Sequence, residues 1–439
     1  MKNWLWLILL VAFSAQAYES VILNHKYDDI FPPGVAGDDW FSKLAHDGHK
    51  LRLVKDGSDV MEERLNLIRS AQRSILLSTF IYDTDETSLE ITNALCMKAK
   101  LQGIDVRMIV DSFGAKKFYK KESDRLRKCG VGIIMFSPGK WDLLKFVQSM
   151  HEKLIIIDGH TVYMGGRGIQ NSYHHVKPAK KFFHDMDIIV EGPIACWWQF
   201  KFIDTYSKAR SHDKPDNALG NHPNAIKNDE YLYGKRDYPA CYPFKRGNSR
   251  VVPVYGNPLF NKTKTPIEDV YVKALENLEH GATVKLYAPY FVPTTRFGAA
   301  LIKAKKEKNA QISIITNSIE SNDEGVAILV AMSYSVDHLM AAGIDIRIYP
   351  GPMTLHRKVG IYGGKYGHIG SDNLDNRGQH YQTESVIITD DMDIVSELEA
   401  EFDEDYNQTM PLDAAYIQKI RKKPGFFERI FAKEYKEFF

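Results

Sequence analysis

The sequence predicts an α/β protein made of two similar halves, with helices packed on both faces of largely buried sheets. Two observations carry this prediction. A His-x-Lys pair occurs twice, at His151 and Lys153 and at His356 and Lys358, and each histidine is followed 14 residues later by a glycine. Strand-like and helix-like segments alternate in the same order before both histidines, which lie 205 residues apart.

Length and composition indicate an ordinary globular protein that is too large for one core. The chain has 439 residues, of which 44% are hydrophobic and 26% are charged. Its 57 basic and 56 acidic residues give a formal net charge of +1. Because a dedicated nucleic-acid binder normally carries a basic excess, we expect no nucleic-acid partner. We also expect a monomer.

The N-terminus, residues 1–17, is predicted to be a signal peptide. Lys2 precedes an apolar run over 4–13, and Ala15-Gln16-Ala17 is a small-x-small cleavage site. The alternative is an uncleaved anchor, but the run is shorter than the ~20 residues that span a bilayer. The mature protein is therefore expected to be exported, either periplasmic or secreted, and at most peripheral on a membrane.

The four cysteines are even in number and belong to a chain predicted to be exported, so disulfides are permitted. Sequence order favours the pairs Cys96–Cys129 and Cys196–Cys241, although all three possible pairings stay open. The cysteine spacing fits no zinc motif.

The first half is assigned to residues 18–205 and starts with an irregular lead-in over 18–50. Apolar runs and 3.6-residue periodicity then predict its elements in order. They are a helix at 60–73, a strand at 75–82, a helix at 88–102, a strand at 106–110, a helix at 117–129, a strand at 131–136, two strands after His151, a strand at 185–191 and a helix from 193.

Residues 206–250 break the alternation and are predicted to be a linker, rich in Asn, Asp, Lys, Pro and Tyr. They form either a loop that overhangs the active site or a solvated insertion without a role. The second half, 251–410, repeats the order of the first. Its predicted elements are helices at 266–279, 295–308, 324–342 and 392–404, strands at 283–287, 311–316, 344–349 and 384–389, and two strands after His356.

The C-terminal tail, 411–439, is predicted to be basic and amphipathic. Between residues 419 and 439 it carries seven basic and three acidic residues, with aromatic side chains at helical spacing. This pattern is typical of an interfacial helix on anionic lipid, and equally of a helix docked on the protein's own surface.

The repeated pairs suit phosphodiester chemistry. On a strand, the two-residue spacing puts His and Lys on one face. Histidine can attack phosphorus or exchange a proton near neutral pH, whereas lysine offers a fixed charge and three donors to a phosphate. Which histidine attacks is left open by the residues themselves.

Further motif residues carry a family resemblance. The two motifs resemble those of the phospholipase D superfamily. The first consists of His151, Lys153 and Asp158 with Gly165-Gly166, and the second of His356 and Lys358 with Gly370-Ser371-x-Asn373. The segments 315–318, Asn322-Asp323 and 289–293 resemble bacterial cardiolipin synthases. Over roughly residues 60–405 the resemblance implies two α/β/α halves related by a pseudo-two-fold axis, with the active site between them.

The resemblance also implies a two-step mechanism without a metal cofactor. We assign His151 as the nucleophile that forms a phosphohistidine, and His356 as the acid and then the base. Lys153, Lys358 and Asn373 are predicted to hold the phosphate in the transition state.

Each histidine needs a carboxylate on its other ring nitrogen. We expect Glu384 and Asp187 in this role. Glu384 lies 28 residues after His356, and Asp187 lies on the analogous strand of the first half, with Asp185 as the nearby alternative. Asp158 is included among the candidate catalytic residues because it belongs to the motif. Its place at a strand end is more typical of a turn former, so the glycine at its second-half position, Gly363, is tolerable. Gly168 stands where a counterpart of Asn373 is expected, which leaves a half-inactive site as an alternative.

The predicted function is phospholipid head-group transfer or cleavage. We expect an exported phosphatidyltransferase or phospholipase D that acts on a phospholipid substrate at a membrane surface. A cardiolipin synthase-like transfer is the favoured form. The alternatives are a secreted nuclease or phosphodiesterase of the same superfamily, and a catalytically decayed lipid-binding protein.

Overall fold

The computed structural model describes residues 39–55, 57–136, 148–212, 245–257, 265–423 and 425. The strands are β1 His46–Val54, β2 Ser74–Thr79, β3 Asp105–Asp111, β4 Gly132–Phe136, β5 Ser149–Met150, β6 Lys153–Ile157, β7 Thr161–Gly165, β8 Phe183–His184, β9 Asp187–Glu191, β10 Ser249–Gly256, β11 Thr283–Tyr287, β12 Gln311–Asn317, β13 Asp345–Tyr349, β14 Thr354–Leu355, β15 Val359–Tyr362, β16 Tyr366–Gly370, β17 Gln382–Thr389 and β18 Met410–Pro411. The helices are α1 Trp40–Leu44, α2 Gly57–Ser70, α3 Glu86–Gln102, α4 Lys116–Lys128, α5 Ile194–His212, α6 Pro266–Glu276, α7 Thr295–Glu307, α8 Val326–Ser335, α9 Asp337–Ala341, α10 Asn376–Tyr381, α11 Met392–Gln408 and α12 Ala414–Lys422.

The two halves share one continuous sheet. The first half contributes the order β4-β3-β2-β6-β7-β9-β1, and the second contributes β13-β12-β11-β15-β16-β17-β10, with β18 at its outer edge. The halves meet where β1 and β10 pair in antiparallel orientation. The equivalent strand orders on either side of an antiparallel junction confirm the predicted duplication and its pseudo-two-fold relation.

Helices cover both faces of the sheet. On one face, α5 and α11 lie in a core that both halves share, where Trp198 and Phe202 belong to the same apolar cluster as Leu398 and Phe402. On the other face, each half has its own core under its remaining helices. The catalytic strands are thus held between buried layers, which limits their movement.

Local sequence sets the ends of several helices. The side chain of Asp85 caps α3 and that of Thr294 caps α7, each by accepting from a backbone N–H three residues on. Pro266 occupies the first turn of α6, where its missing N–H costs nothing. Gly103, at φ 65°, ends α3 in the left-handed conformation.

Several predicted boundaries differ from the structure. The lead-in is not irregular beyond residue 39, because α1 and β1 occupy it. The linker is shorter at both ends than the predicted 206–250, since α5 continues to His212 and β10 begins at Ser249. The predicted helix 324–342 is divided into α8 and α9; Ser333 and Ser335 donate to carbonyls three and four residues back, a pattern that bends helices.

The tail begins as a helix docked on the protein. Ile417 and Ile420 of α12 are buried, and Arg421 donates to Ser333 and Asp337 of the neighbouring helices. This matches the second alternative for the described part of the tail. The aromatic positions beyond residue 425 lie outside the described residues.

One predicted disulfide, Cys96–Cys129, joins α3 to the end of α4, with Cα atoms 5.2 Å apart. Cys196 is also disulfide-bonded. Cys241, its predicted partner, and the predicted overhanging loop in 213–244 lie outside the described residues. None of the helices that the structure describes is long and apolar enough to cross a membrane.

Candidate active site

Short strands place each histidine by pairing with the opposite half. β5, directly before His151, pairs with the start of β17, and His151 donates its backbone N–H to Thr383 at 3.0 Å. β14, directly before His356, pairs with β8, and His356 donates its N–H to His184 at 2.8 Å. Each histidine is therefore anchored to the strand region that carries the other half's acidic residues.

Asp111 and Asn317 hold the residues that precede the histidines. Asp111 accepts the N–H of Met150 at 2.8 Å. Asn317 donates to the carbonyl of Leu355 at 2.8 Å and accepts its N–H at 3.0 Å. These two residues end the equivalent strands β3 and β12. In both halves, therefore, a side chain at the end of this strand holds the backbone directly before the histidine.

The two histidines are oriented by carboxylates across the interface between the halves. His151 Nδ1 lies 2.7 Å from Glu384 Oε1, and His356 Nδ1 lies 2.6 Å from Asp185 Oδ2. Because an ionised carboxylate can only accept, each Nδ1 carries the proton and each Nε2 is left free to react. Neither half contains a complete site on its own.

The prediction that Asp187 orients a histidine is wrong, and the alternative, Asp185, occupies that position. Asp187 instead binds Arg167 at 2.7 Å and accepts from Tyr163, deep in the first half. Strand register explains the difference. Gly165 pairs with Asp187 and Gly370 pairs with Val386, so the residues two before these partners, Asp185 and Glu384, are equivalent.

The glycine-containing ends of β7 and β16 support these carboxylates. Ser371 donates to Glu384, which therefore bridges Ser371 and His151. At the equivalent Gly166, a Cβ would come within 2.3 Å of Asp185 Oδ1. The first half requires glycine where the second uses serine, because Asp185 is packed directly against the backbone.

Both lysines are buried and are held by the carbonyl of their own histidine. Lys153 Nζ donates to His151 O at 2.5 Å, and Lys358 Nζ donates to His356 O at 2.6 Å. Each ammonium keeps two further N–H donors for a phosphate. Burial, reinforced by Lys358, lowers the pKa of Lys153 to about 7, and burial lowers the pKa of Lys358 to about 8.

The electrostatic surroundings of the two histidines differ. Burial, followed by Lys153 and Lys358, holds the pKa of His151 well below its usual range, and burial raises the pKa of its partner Glu384. Burial also lowers the pKa of His356, but Asp185 opposes this shift. Although burial disfavours its charge, His356 and Lys358 hold the pKa of Asp185 below its usual range. Burial thus favours the neutral imidazole at both histidines, and at His356 the charge of Asp185 opposes this effect.

The reactive groups face one cleft with a cavity volume of about 150 Å³. The cleft is lined by His151, Lys153, His356 and Asn373, but not by Lys358. Of the segment 289–293, Tyr290 lines the cleft and Phe291 is fully buried in the core. Sequence reasoning missed several other lining residues: Phe80, Gln170, Tyr173, Phe183, Glu324, Asp375 and Arg377.

Asp158 takes no part in the cleft. It lies seven residues beyond His151, roughly 20 Å along an extended strand. Its carboxylate accepts the backbone N–H groups of Gln72, Arg73 and Ser74 at 2.7–2.9 Å, and so fixes the entry into β2. The φ of 54° at Asp158 is matched by the φ of 64° at Gly363, so the second half forms the same turn without a carboxylate.

The first half has no counterpart of Asn373 in the cleft. A Cβ at Gly168 would lie 2.7 Å from Ile81 Cβ, which leaves no room for a side chain. Asn171 instead accepts the N–H of Thr87 and donates to Glu86 at the start of α3. The phosphate site is therefore asymmetric, with one asparagine.

Gly363→Asp is expected to change kcat/KM less than twofold, since the position lies at a turn remote from the cleft. A Cβ there would meet Leu278 and Ala282 only at ordinary contact distances of 3.5 and 3.7 Å.

The reciprocal change, Asp158→Gly, removes an acceptor of three backbone hydrogen bonds and should lower the free energy of unfolding by about 1–3 kcal/mol. Steady-state kinetics and denaturant unfolding test both; a large loss of activity in Gly363→Asp would contradict the structural role.

A duplicated sheet whose halves complete each other's histidine sites is the arrangement of the phospholipase D superfamily, and the chain is a phospholipase D or phosphatidyltransferase enzyme of this class. It belongs to the family described as cardiolipin synthase, PLD-like domain, whose profile matches residues 65–195 and 275–406. The two matched ranges contain β2–β9 and β11–β17, so one range lies in each half of the sheet.

Curated relatives agree with this assignment. A probable cardiolipin synthase of Bacillus subtilis, YwiE, is 24% identical over 391 residues, covering 89% of this chain and 70% of the relative. The major cardiolipin synthase of the same organism, ClsA, is 27% identical over 358 residues, covering 80% and 68%. The chain is similar to these proteins over most of both lengths.

Solved structures show the same fold. Phosphatidylserine synthase from Haemophilus influenzae superimposes with a TM-score of 0.63 at 17% identity, covering 88% of this chain and 95% of that chain. Polyphosphate kinase from Porphyromonas gingivalis gives 0.52 at 13% identity, covering 84% and 49%. At these identities the similarity concerns the fold alone.

Proposed function

We propose that the chain transfers a phosphatidyl group from one phospholipid to the hydroxyl of a second lipid alcohol, through a phosphohistidine on His151. The observation that carries the proposal is the pair of histidines facing one cleft, each with Nδ1 held by a carboxylate from the other half. Their Nε2 atoms can act on opposite sides of one phosphorus atom. The similarity to cardiolipin synthases supports a lipid acceptor.

The first step breaks the head-group ester. His151 Nε2 attacks phosphorus and forms a P–N bond while the bond to the head-group oxygen breaks. His356 begins this step as an imidazolium, protonated on both ring nitrogens, and gives its Nε2 proton to that oxygen, so the head group leaves as a neutral alcohol. Lys153, Lys358 and Asn373 stabilise the charge on the non-bridging oxygens.

The second step reverses the roles. His356, now neutral, accepts the proton of the incoming hydroxyl, whose oxygen attacks phosphorus as the P–N bond breaks. Asp185 stabilises the imidazolium of His356 in both steps, since it lies 2.6 Å from Nδ1. If water is the acceptor, the product is phosphatidic acid; if a lipid alcohol is the acceptor, the product is a new diester.

Two features support action at a membrane surface outside the cytosol. Phe113 is 73% exposed and stacks on Phe80, which lines the cleft, so an apolar side chain stands near the entrance. The Cys96–Cys129 disulfide is typical of an oxidising compartment. Export through the predicted signal peptide and peripheral attachment to lipid are part of the proposal.

The test is product analysis by mass spectrometry after the full chain acts on phosphatidylglycerol vesicles in the presence of EDTA. We expect a bisphosphatidyl product in excess of phosphatidic acid. Phosphatidic acid as the sole product would reassign the chain as a hydrolase. Cleavage of DNA without any lipid product would favour the nuclease alternative.

Anion affinity should fall as the pH rises, because the folded-state pKa values of Lys153 and Lys358 are lowered to about 7 and about 8. The ammonium charge is present below these values and is lost above them. Sulfate, which does not titrate in this range, should bind up to about tenfold more weakly for each pH unit above them. Calorimetry between about pH 6 and about pH 9 measures this.

Lys153→Gln should weaken sulfate binding at low pH and flatten its pH dependence. The exposed Lys365 gives a matched control, since Lys365→Gln removes the same charge from a residue outside the cleft. An affinity that stays constant over this range in the unmodified protein would contradict a phosphate site built on buried lysines.

A further inference from the structure

Arg377 is a cation of the cleft that the two-step mechanism does not use. It lies at the start of α10, four residues after Asn373, and lines the same cleft as both histidines. It is close enough to lower the pKa values of His151, Asp111 and Asp375 through its charge, although burial is the largest influence on each.

The guanidinium of Arg377, a half-buried residue, lacks the partners that the buried arginines have. Arg64, Arg167 and Arg357 each donate from a terminal nitrogen to carbonyl or carboxylate oxygens of the protein. Within the described ranges, Arg377 has no such hydrogen bond; its Nε is buried without a partner, as is the Nε of each of the other three arginines. Burying a donor of a charged group unpaired is costly, so an anionic ligand is its natural partner.

The reacting phosphate already has its own ligands. A phosphodiester in the cleft carries one negative charge, and two lysines and Asn373 are assigned to its non-bridging oxygens. Asn373, which is 6% exposed, lines the cleft and can donate from its amide N–H₂ group to a phosphate oxygen. Arg377 would be a fourth ligand if it bound the reacting phosphate. Its planar guanidinium is better suited to binding a separate phosphate through two parallel hydrogen bonds.

We propose that Arg377 binds the phosphodiester of the acceptor lipid and thereby selects a phosphate-bearing alcohol over water. This inference rests on the proposed function and names the acceptor class. Transfer to such an alcohol needs a second phosphate site in the cleft, whereas hydrolysis does not. Holding the acceptor's phosphate places its hydroxyl next to the phosphohistidine, which raises its effective concentration relative to water.

The test compares acceptors with and without a phosphate. A labelled short-chain phosphatidylglycerol serves as donor, and the acceptors are vesicle phosphatidylglycerol and 1-butanol. Arg377→Gln should lower the yield of bisphosphatidyl product relative to phosphatidylbutanol by about tenfold or more, with Arg377→Lys in between. Arg69→Gln, which removes a guanidinium that is 54% exposed on α2, should keep the ratio of the unmodified protein.

Each outcome decides one question. An unchanged product ratio in Arg377→Gln would overturn the proposal, and so would an equal fall of bisphosphatidyl product, phosphatidylbutanol and phosphatidic acid. Unmodified protein that makes phosphatidylbutanol but no bisphosphatidyl product would instead reject lipid transfer itself. Thermal unfolding of each variant shows that the change in ratio comes from folded enzyme.

Discussion

His151→Ala and His356→Ala are each expected to lower kcat/KM on a soluble phosphodiester by about 10²–10⁴-fold or more. His151 supplies the bond to phosphorus and His356 supplies and removes the proton, so neither can replace the other. In the structure, each histidine contacts a different carboxylate of the opposite half, and the short strand before each histidine pairs with a strand of that half. Steady-state kinetics of the purified variants measures the effect.

A third histidine provides the control. His160 lies in the turn between β6 and β7, bonds to Thr161, and does not line the cleft. His160→Ala should keep kcat/KM within a few-fold of the unmodified protein. Substantial activity in either His151→Ala or His356→Ala would mean that the paired-histidine mechanism is wrong.

The second large effect separates two neighbouring aspartates. Asp185→Asn should lower kcat/KM by about 10²-fold or more, because an amide cannot stabilise the imidazolium of His356 and can present an N–H to Nδ1, which favours the wrong tautomer. Asp187→Asn should instead destabilise the fold by about 3–5 kcal/mol, since it leaves Arg167 buried, 1% exposed, without its counter-charge.

Kinetics and denaturant unfolding, measured on both variants, distinguish these roles. The expected pattern is a loss of rate with nearly normal stability in Asp185→Asn, and a loss of stability with a smaller change in rate per folded molecule in Asp187→Asn. The reverse pattern would show that the carboxylate seen next to His356 does not orient it during catalysis.

The repeated alternation of elements was predictable because most strands carry continuous apolar runs and the longer helices carry apolar residues at helical spacing. β1 was missed because its sequence is polar at its start, with His46, Asp47, His49 and Lys50, and shows no clean alternation. It becomes a strand only through tertiary context, by pairing with β9 on one side and β10 on the other.

The site was predictable in its residue types but not in its pairing. Counting along the chain locates Glu384 and the Asp185–Asp187 region, but the contacts cross between the halves, which distance along the chain cannot show. Choosing Asp185 over Asp187 requires the register of β7 with β9, in which Gly165 opposite Asp187 corresponds to Gly370 opposite Val386. Arg377 shows no periodicity that distinguishes it from a surface arginine.

The central claim is tested most directly by trapping the covalent intermediate in the full chain. A phospholipid labelled in its phosphatidyl part is mixed with enzyme, quenched at alkaline pH within the first turnover, and the labelled peptide is mapped by mass spectrometry. The mechanism predicts a phosphatidyl adduct on His151 alone, which an added alcohol acceptor removes. Label on His356, or turnover without any covalent adduct, would contradict it.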